Sequence, residues 1–187
     1  MRGGGEKGDA WHKGGFRSTK SNTWKDFISC AENLIKNKFT SSDKLSIWSG
    51  SAGGIMIGRA ITERPELFKS AIIEFGMLNM LRFESTPNGA NNVKEFGSIK
   101  DSLEFESLKD MDAYYHLKKG VKYPATLLTA GINDPRVPAW SSVKIAAKMQ
   151  TCNISDNPNL LLIDSETGHG NDDTKVIEFE RFANIFS

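Results

Sequence analysis

The stretch Ser49-Gly50-Ser51-Ala52-Gly53, inside "IWSGSAGGIMIG", holds the residues best suited to chemistry. An apolar, strand-like run ends in small residues and turns apolar again at once. Two readings fit. One is a glycine-rich turn. The other is a nucleophile elbow, a strained strand-to-helix turn that holds a serine hydroxyl out at the end of a sheet. The usual elbow frame is Gly-x-Ser-x-Gly. Here Ser49 replaces the first glycine, and a small residue there meets the same steric demand. In the elbow reading Ser51 is the nucleophile and the backbone N–H of Ala52 faces the developing oxyanion at the helix start. Ser49 is the rival nucleophile, but it lacks a glycine two residues on.

A serine nucleophile needs a base and a group to orient it. The chain has three histidines. His12 lies in a Gly- and Lys-rich, loop-like N-terminal region, and His116 lies in the helix-like "DAYYHLKKG"; the ordinary reading of each is structural or solvated. His169, in "SETGHGND", stands between two glycines, where an imidazole can approach a serine without a packed neighbour. Its alternatives are the general base or a plain loop residue. For the acid, Asp134 follows an apolar run in "TAGINDPRVP". Asp164 is the structural rival, and Asp172 and Asp173 read as charges at a helix start. Arg136, read alone, is a surface ion-pair residue.

The elements that must carry these groups follow from periodicity. "TWKDFISCAENLIKNKF" places Trp24, Phe27, Ile28, Ala31, Leu34 and Ile35 at helical spacing, with Thr23 and Asp26 resembling a capping box. The first 20 residues read as loop. Strands are expected in "DKLSIWS", "KSAIIEFG", "PATLLTAG" and "NLLLIDS". Helices are expected in "GGIMIGRAIT", "AWSSVKIAAKMQ" and "DTKVIEFERFANIF", and residues 79–120 read as irregular with a short helix near "SLEFESLKDM". Strands alternating with helices mean an α/β fold with a mostly parallel sheet flanked by helices. The near-continuous apolar character of "PATLLTAG" suits burial on both faces. Polar groups of such sheets gather at the carboxyl ends of strands, which is where Ser49, Ser51, Asn133, Asp134, Arg136, Asp164, Glu166 and His169 fall. Ser51, Asp134 and His169 each follow their own strand, in the order nucleophile, acid, base that α/β-hydrolases use.

Bulk composition narrows the function classes. With 187 residues the chain is one domain or part of one, large enough for a core. It is 39% hydrophobic and 25% charged, which argues against disorder. A formal net charge of +1 implies no nucleic-acid or anionic-membrane partner. No apolar run approaches the roughly 18–20 residues that span a bilayer, and the N-terminus shows no apolar signal region. Cys30 and Cys152 match no metal spacing and read as thiols.

Taken together, "RGGGEKGDAWHKGG", "SGSAGG", "NDPRVPAW" and "TGHG" resemble, in order and spacing, the motifs of the prolyl oligopeptidase family of serine peptidases; "ITERPELF" and "YPATLLTAG" add agreement. The resemblance runs from Arg2 nearly to the end. It implies a partial α/β-hydrolase fold, Ser51, Asp134 and His169 as catalytic triad, and no metal or organic cofactor. It also implies short peptides as substrates, with Arg136 hydrogen-bonding a peptide carbonyl and Val137 beside it in the substrate site. Members are longer than this chain. On that pattern residues 1–187 correspond to the C-terminal part of the catalytic domain. An N-terminal β-propeller and the first strands of the hydrolase sheet, partners of this part in the family, would then lie outside it, together with a tyrosine that donates to the oxyanion. The expectation is a serine-type oligopeptidase, impaired as this piece. It would be cytoplasmic, or periplasmic if a signal lies upstream. In proline-cleaving members "W-x-x-D-Y-G" stands where this chain has "NVKEFG". Asn92 replaces the tryptophan that stacks on proline, and Phe96 replaces the tyrosine, so preference for proline is in question while both positions remain substrate-binding candidates. A carboxylesterase-like hydrolase and a non-catalytic remnant are the alternative readings.

Overall fold

A computed structural model of the chain describes residues 1–170 and 174–186. Four strands form one parallel sheet: β1 (Ser46–Gly50), β2 (Ser70–Glu74), β3 (Ala125–Gly131) and β4 (Asn159–Asp164). Their spatial order is their chain order. The helices are α1 (Asp9–Lys13), α2 (Ser21–Lys36), α3 (Gly53–Glu63), α4 (Gly89–Phe96), α5 (Ser102–Met111), α6 (Ala113–His116), α7 (Trp140–Cys152) and α8 (Lys175–Phe186). Short 3₁₀ turns cover Arg17–Thr19, Pro65–Leu67 and Met80–Ser85. The α/β fold and mostly parallel sheet expected from the sequence are present.

A right-handed crossover places its helix on a fixed face of a parallel sheet. Each step here moves one strand in the same direction, so α3 and α7 share one face. The core lies on that face. Ile55, Ile57 and Ile61 of α3 and Ile145 and Met149 of α7 are buried with Ala71, Ile73 and Leu128 of the sheet, and Trp24 of α2 closes the layer from behind α3. The opposite face is covered differently. Strand alternation buries Ile47 toward the core and turns Trp48 the other way. There Trp48 meets Phe182 and Phe186 of α8 edge-on, at 5.8 and 5.7 Å between ring centroids. Its indole N–H donates to Glu74 Oε1 at 2.7 Å.

Three expectations need correction: the N-terminal loop, the capping box and the irregularity of residues 79–120. The N-terminal 20 residues are not all loop, since α1 and a 3₁₀ turn lie within them. Thr23 and Asp26 form no capping box. The helix starts earlier, at Ser21, and both side chains turn to Arg2: Thr23 Oγ1 donates to its carbonyl at 2.8 Å, and Asp26 accepts its backbone N–H and guanidinium. Burial on both faces, expected of β3, holds for most of it, while β4 is covered less. Leu160 is 56% exposed, because only the single helix α8 covers the second face. Residues 79–120 are more regular than expected, with α4 and the 3₁₀ turn in addition to the foreseen α5 and the helix-like stretch at His116, which is α6.

Candidate active site

β1 ends at Gly50 and α3 begins at Gly53, so Ser51 sits on a two-residue turn. Its φ is +53°, in the left-handed region that non-glycine residues rarely adopt. Such strain persists only where the surroundings over-determine it, and here three backbone bonds do. Ser51 N–H donates to Glu74 O at 2.8 Å, while its carbonyl accepts from Gly54 and Met77, both at 2.9 Å. A Cβ on Gly53 would lie 1.9 Å from Ser49 Oγ, so any larger residue there would force that hydroxyl to turn away.

The loops after β3 and β4 bring the other two groups to the same sheet end. They are closely packed: a Cβ on Gly131 would lie 2.2 Å from Gly168 O. His169 Nε2 lies 3.0 Å from Ser51 Oγ, and Nδ1 lies 2.6 Å from Asp134 Oδ2. The side chain of Asp134 is wholly buried. Burial pushes its carboxyl upward. The bonds from His169 and from the N–H groups of Val137 and Arg136 outweigh that and hold it below the ordinary carboxylate range. An ionised Asp134 accepts a proton bond, so Nδ1 carries the hydrogen and Nε2 is left to accept from the Ser51 hydroxyl. Those two N–H groups, on Asp134 Oδ1 at 2.7 and 2.9 Å, keep the carboxylate aimed.

Ala52 is the residue before the first turn of α3. Its N–H meets no acceptor among the described residues. It is thus uncommitted there, at the residue that directly follows Ser51. Arg136 is exposed and lines a cavity of about 460 Å³ together with His169, Glu166 and Ile177. It makes no ion pair among the described residues. Val137 differs from the expectation. Its side chain is 4% exposed and belongs to the core, so what it contributes to the site is the backbone N–H on Asp134. Asn92 and Phe96, both on α4, line a separate small cavity with Met80, Phe83 and Leu108. Phe96 is buried beneath the Lys20 ammonium, 5.3 Å from its ring centroid, and Asn92 Nδ2 is buried without a hydrogen-bond partner among the described residues. No hydrogen bond joins either to the triad among the described residues.

The rivals are placed elsewhere. Asp164 Oδ1 accepts from the N–H groups of Glu166 and Thr167 and closes the turn after β4. His12 bonds Glu95, and His116 bonds the Lys109 carbonyl. Asp172 and Asp173 lie outside the described residues. Both cysteines are free thiols, Cys30 exposed and Cys152 buried. No group of acidic, histidine and cysteine side chains able to hold a metal occurs among the described residues.

Two supports escaped sequence reasoning. Phe75 has φ +50° and packs its ring 5.6 Å from that of His169. Ser141, fully buried, accepts from Leu78 N–H and donates to Gly76 O, tying the segment after β2 to α7. The only local signal for the first was an aromatic residue before a glycine at a strand end. For the second there was none, because a serine on an apolar helix face carries no periodic mark.

The whole of residues 1–187 matches the prolyl oligopeptidase family. The chain is 38% identical over 171 residues to the prolyl endopeptidase of Elizabethkingia miricola, covering 91% of this chain and 24% of that protein. It is likewise 38% identical to a dual function macrocyclase-peptidase of Galerina marginata, again over 91% and 24%. A solved prolyl endopeptidase superposes with a TM-score of 0.96 at 33% identity, over 100% of this chain and 28% of that one. Oligopeptidase B from Leishmania major gives 0.87 at 32% identity, over 90% and 24%. The chain thus spans about a quarter of the length of the curated relatives it matches. With its fold, its motif order and its matched length in agreement, the chain belongs to the prolyl oligopeptidase family of serine peptidases.

Proposed function

We propose that Ser51, His169 and Asp134 carry out acyl transfer on a peptide bond. The observation that carries this reading is the continuous hydrogen-bond chain from Ser51 Oγ through His169 to Asp134. In the first step Ser51 Oγ attacks the scissile carbonyl while His169 Nε2 takes its proton. Asp134 holds the ring in the required tautomer and stabilises the imidazolium. Ala52 N–H donates to the oxyanion. The imidazolium then protonates the leaving amine, and a water activated by the same nitrogen releases the acyl group. Arg136, on the loop that carries Asp134 and without an ion pair among the described residues, suits a peptide carbonyl near the scissile bond. Short peptides are the substrate class. Proline at the cleaved position is the weaker part of the reading, since Asn92 offers no aromatic face to stack on a ring.

The test is covalent labelling. A fluorophosphonate probe should phosphonylate Ser51 with loss of fluoride, and the label should vanish in Ser51→Ala. A label on Ser49, or one that survives Ser51→Ala, would falsify the assignment. Cleavage of a short chromogenic peptide amide, absent in the same variant, extends the test from reactivity to peptide hydrolysis.

A further inference from the structure

The 3₁₀ turn Met80–Ser85 follows β2 at the same sheet end as the triad, and the first turn of α7 follows the Asp134 loop. Between them lies a cavity of about 560 Å³, lined by Arg82, Ser85, Thr86, Pro87, Trp140 and Lys144. Two of the six are cations and none is acidic. Arg82 is exposed, and neither it nor Lys144 pairs with a carboxylate among the described residues. The chain as a whole balances 24 basic against 23 acidic residues. A concave wall with positive charge only is therefore a local feature and not a reflection of bulk charge.

Lys144 is also held in place. Buried Asp112 accepts from Asn79 Nδ2 at 2.7 Å, which fixes the amide with Oδ1 turned outward. Lys144 Nζ donates to that oxygen at 2.6 Å and lies over the rings of Tyr114 and Trp140, 4.4 and 5.5 Å from their centroids. One of its three N–H donors is used, and the others remain for a ligand. The Asp112 carboxylate is already committed to Asn79, Leu81 N–H and Tyr115 N–H, so it orients the lysine through a neutral amide and does not pair with it. Lys148, one turn further along α7, adds a third positive charge near Tyr114. A preorganised ammonium, a guanidinium with no carboxylate partner among the described residues, hydroxyls at the rim and an indole wall together favour an anionic group on a flexible apolar stem.

We propose that this pocket binds a carboxylate of the peptide substrate, a side-chain or C-terminal one, and that acidic peptides are thereby selected. The proposal rests on the peptide-hydrolase reading. Its test measures binding and not turnover, so the two can fail separately.

The Ser51→Ala chain is titrated with three fluorescein-labelled short peptides, and anisotropy is read at 20 and 200 mM NaCl. One carries Glu and an amidated C-terminus. The second carries Gln and a free C-terminal carboxylate. The third carries Gln and the amide. One of the acidic peptides should bind on the order of tenfold tighter than the neutral one, and which of the two does so identifies the carboxylate. The gap should narrow at the higher salt, where charges are screened beyond about 8 Å. It should close in Arg82→Gln, an exposed substitution that leaves the melting temperature unchanged, and in Lys144→Met. Equal affinities, a gap that survives both variants, or no binding of any peptide overturns the proposal. Fluorophosphonate labelling of the unsubstituted chain then reports independently on the triad.

Discussion

Asp134 and Asp164 show how position within a loop decides what a carboxylate does. Asp134 follows β3 and Asp164 ends β4, and each accepts two backbone N–H bonds through Oδ1. Only Asp134 has its second oxygen on His169. Asp134→Asn would keep the shape but offer an amide where the imidazole N–H must donate, favouring the wrong tautomer. Peptide turnover should fall by on the order of 10⁴, as in related triads. Asp164→Asn should loosen the turn after β4 with a far smaller loss. Steady-state kinetics on the two variants separates the roles, and a larger loss for Asp164→Asn would sink the assignment of the acid. Val137 carries the same lesson: its side chain is in the core, and it serves the site through its backbone.

At the scale of elements, the elbow turn is held by Glu74 at the end of β2, by Met77 in the segment that follows it and by Gly54 in the first turn of α3. The Gly-rich opening segment is held by α2. Arg2 and Asp26 join them, and the hydrogen bond from the guanidinium is the main cause that lowers the Asp26 carboxyl from its ordinary value near 3.8 to about 2. The sign of the pH effect follows. A carboxyl with a depressed folded-state pKa stabilises the fold above its unfolded value, and the contribution is lost as pH falls from about 3.8 through about 2. Thermal melts between pH 6 and pH 2 should show Asp26→Asn less stable than the unsubstituted chain at the upper end, with the two curves converging at the lower. Parallel curves would mean that the pair does not titrate with folding.

Seen whole, the molecule has a dense layer on one side of the sheet and a thin one on the other. Trp48, Leu160 and Leu162 of the sheet and Phe179 and Phe186 of α8 remain 36–71% exposed. A cavity of about 300 Å³ lies between α8 and strands β3 and β4, bounded by Phe75, Ala130, Leu162, Ile163 and Ile177. Apolar surface grouped in this way is sticky. The folded chain should bind a hydrophobic fluorescent dye. Replacing Phe179 and Phe186, seven residues apart on α8, by Glu should reduce that binding while the melting temperature changes little, since both rings are mostly in water. Unchanged dye binding in that variant would place the exposed surface elsewhere.

The order of the elements was legible from the chain alone because each main strand and helix has its own local mark: an apolar run, a helical period, or a glycine or proline at its end. The frame around Ser51 and the order Ser51, Asp134, His169 were legible for the same reason, since turn chemistry is local. Contact was not. Ser51 and His169 are 118 positions apart, and only the sheet brings Nε2 within 3.0 Å of Oγ. Thr23 and Asp26 read as a cap because the sequence pattern cannot show that Arg2 competes for both. Helix α4 was missed because it is short, eight residues, and is fixed by what packs on it more than by its own propensity. Lys144 reads as an ordinary surface lysine until Asp112 and Asn79, more than thirty residues before it, hold it at the wall of a pocket. Backbone pattern is written residue by residue along the chain, while charge placement and burial depend on distant segments meeting, and that only the tertiary structure decided.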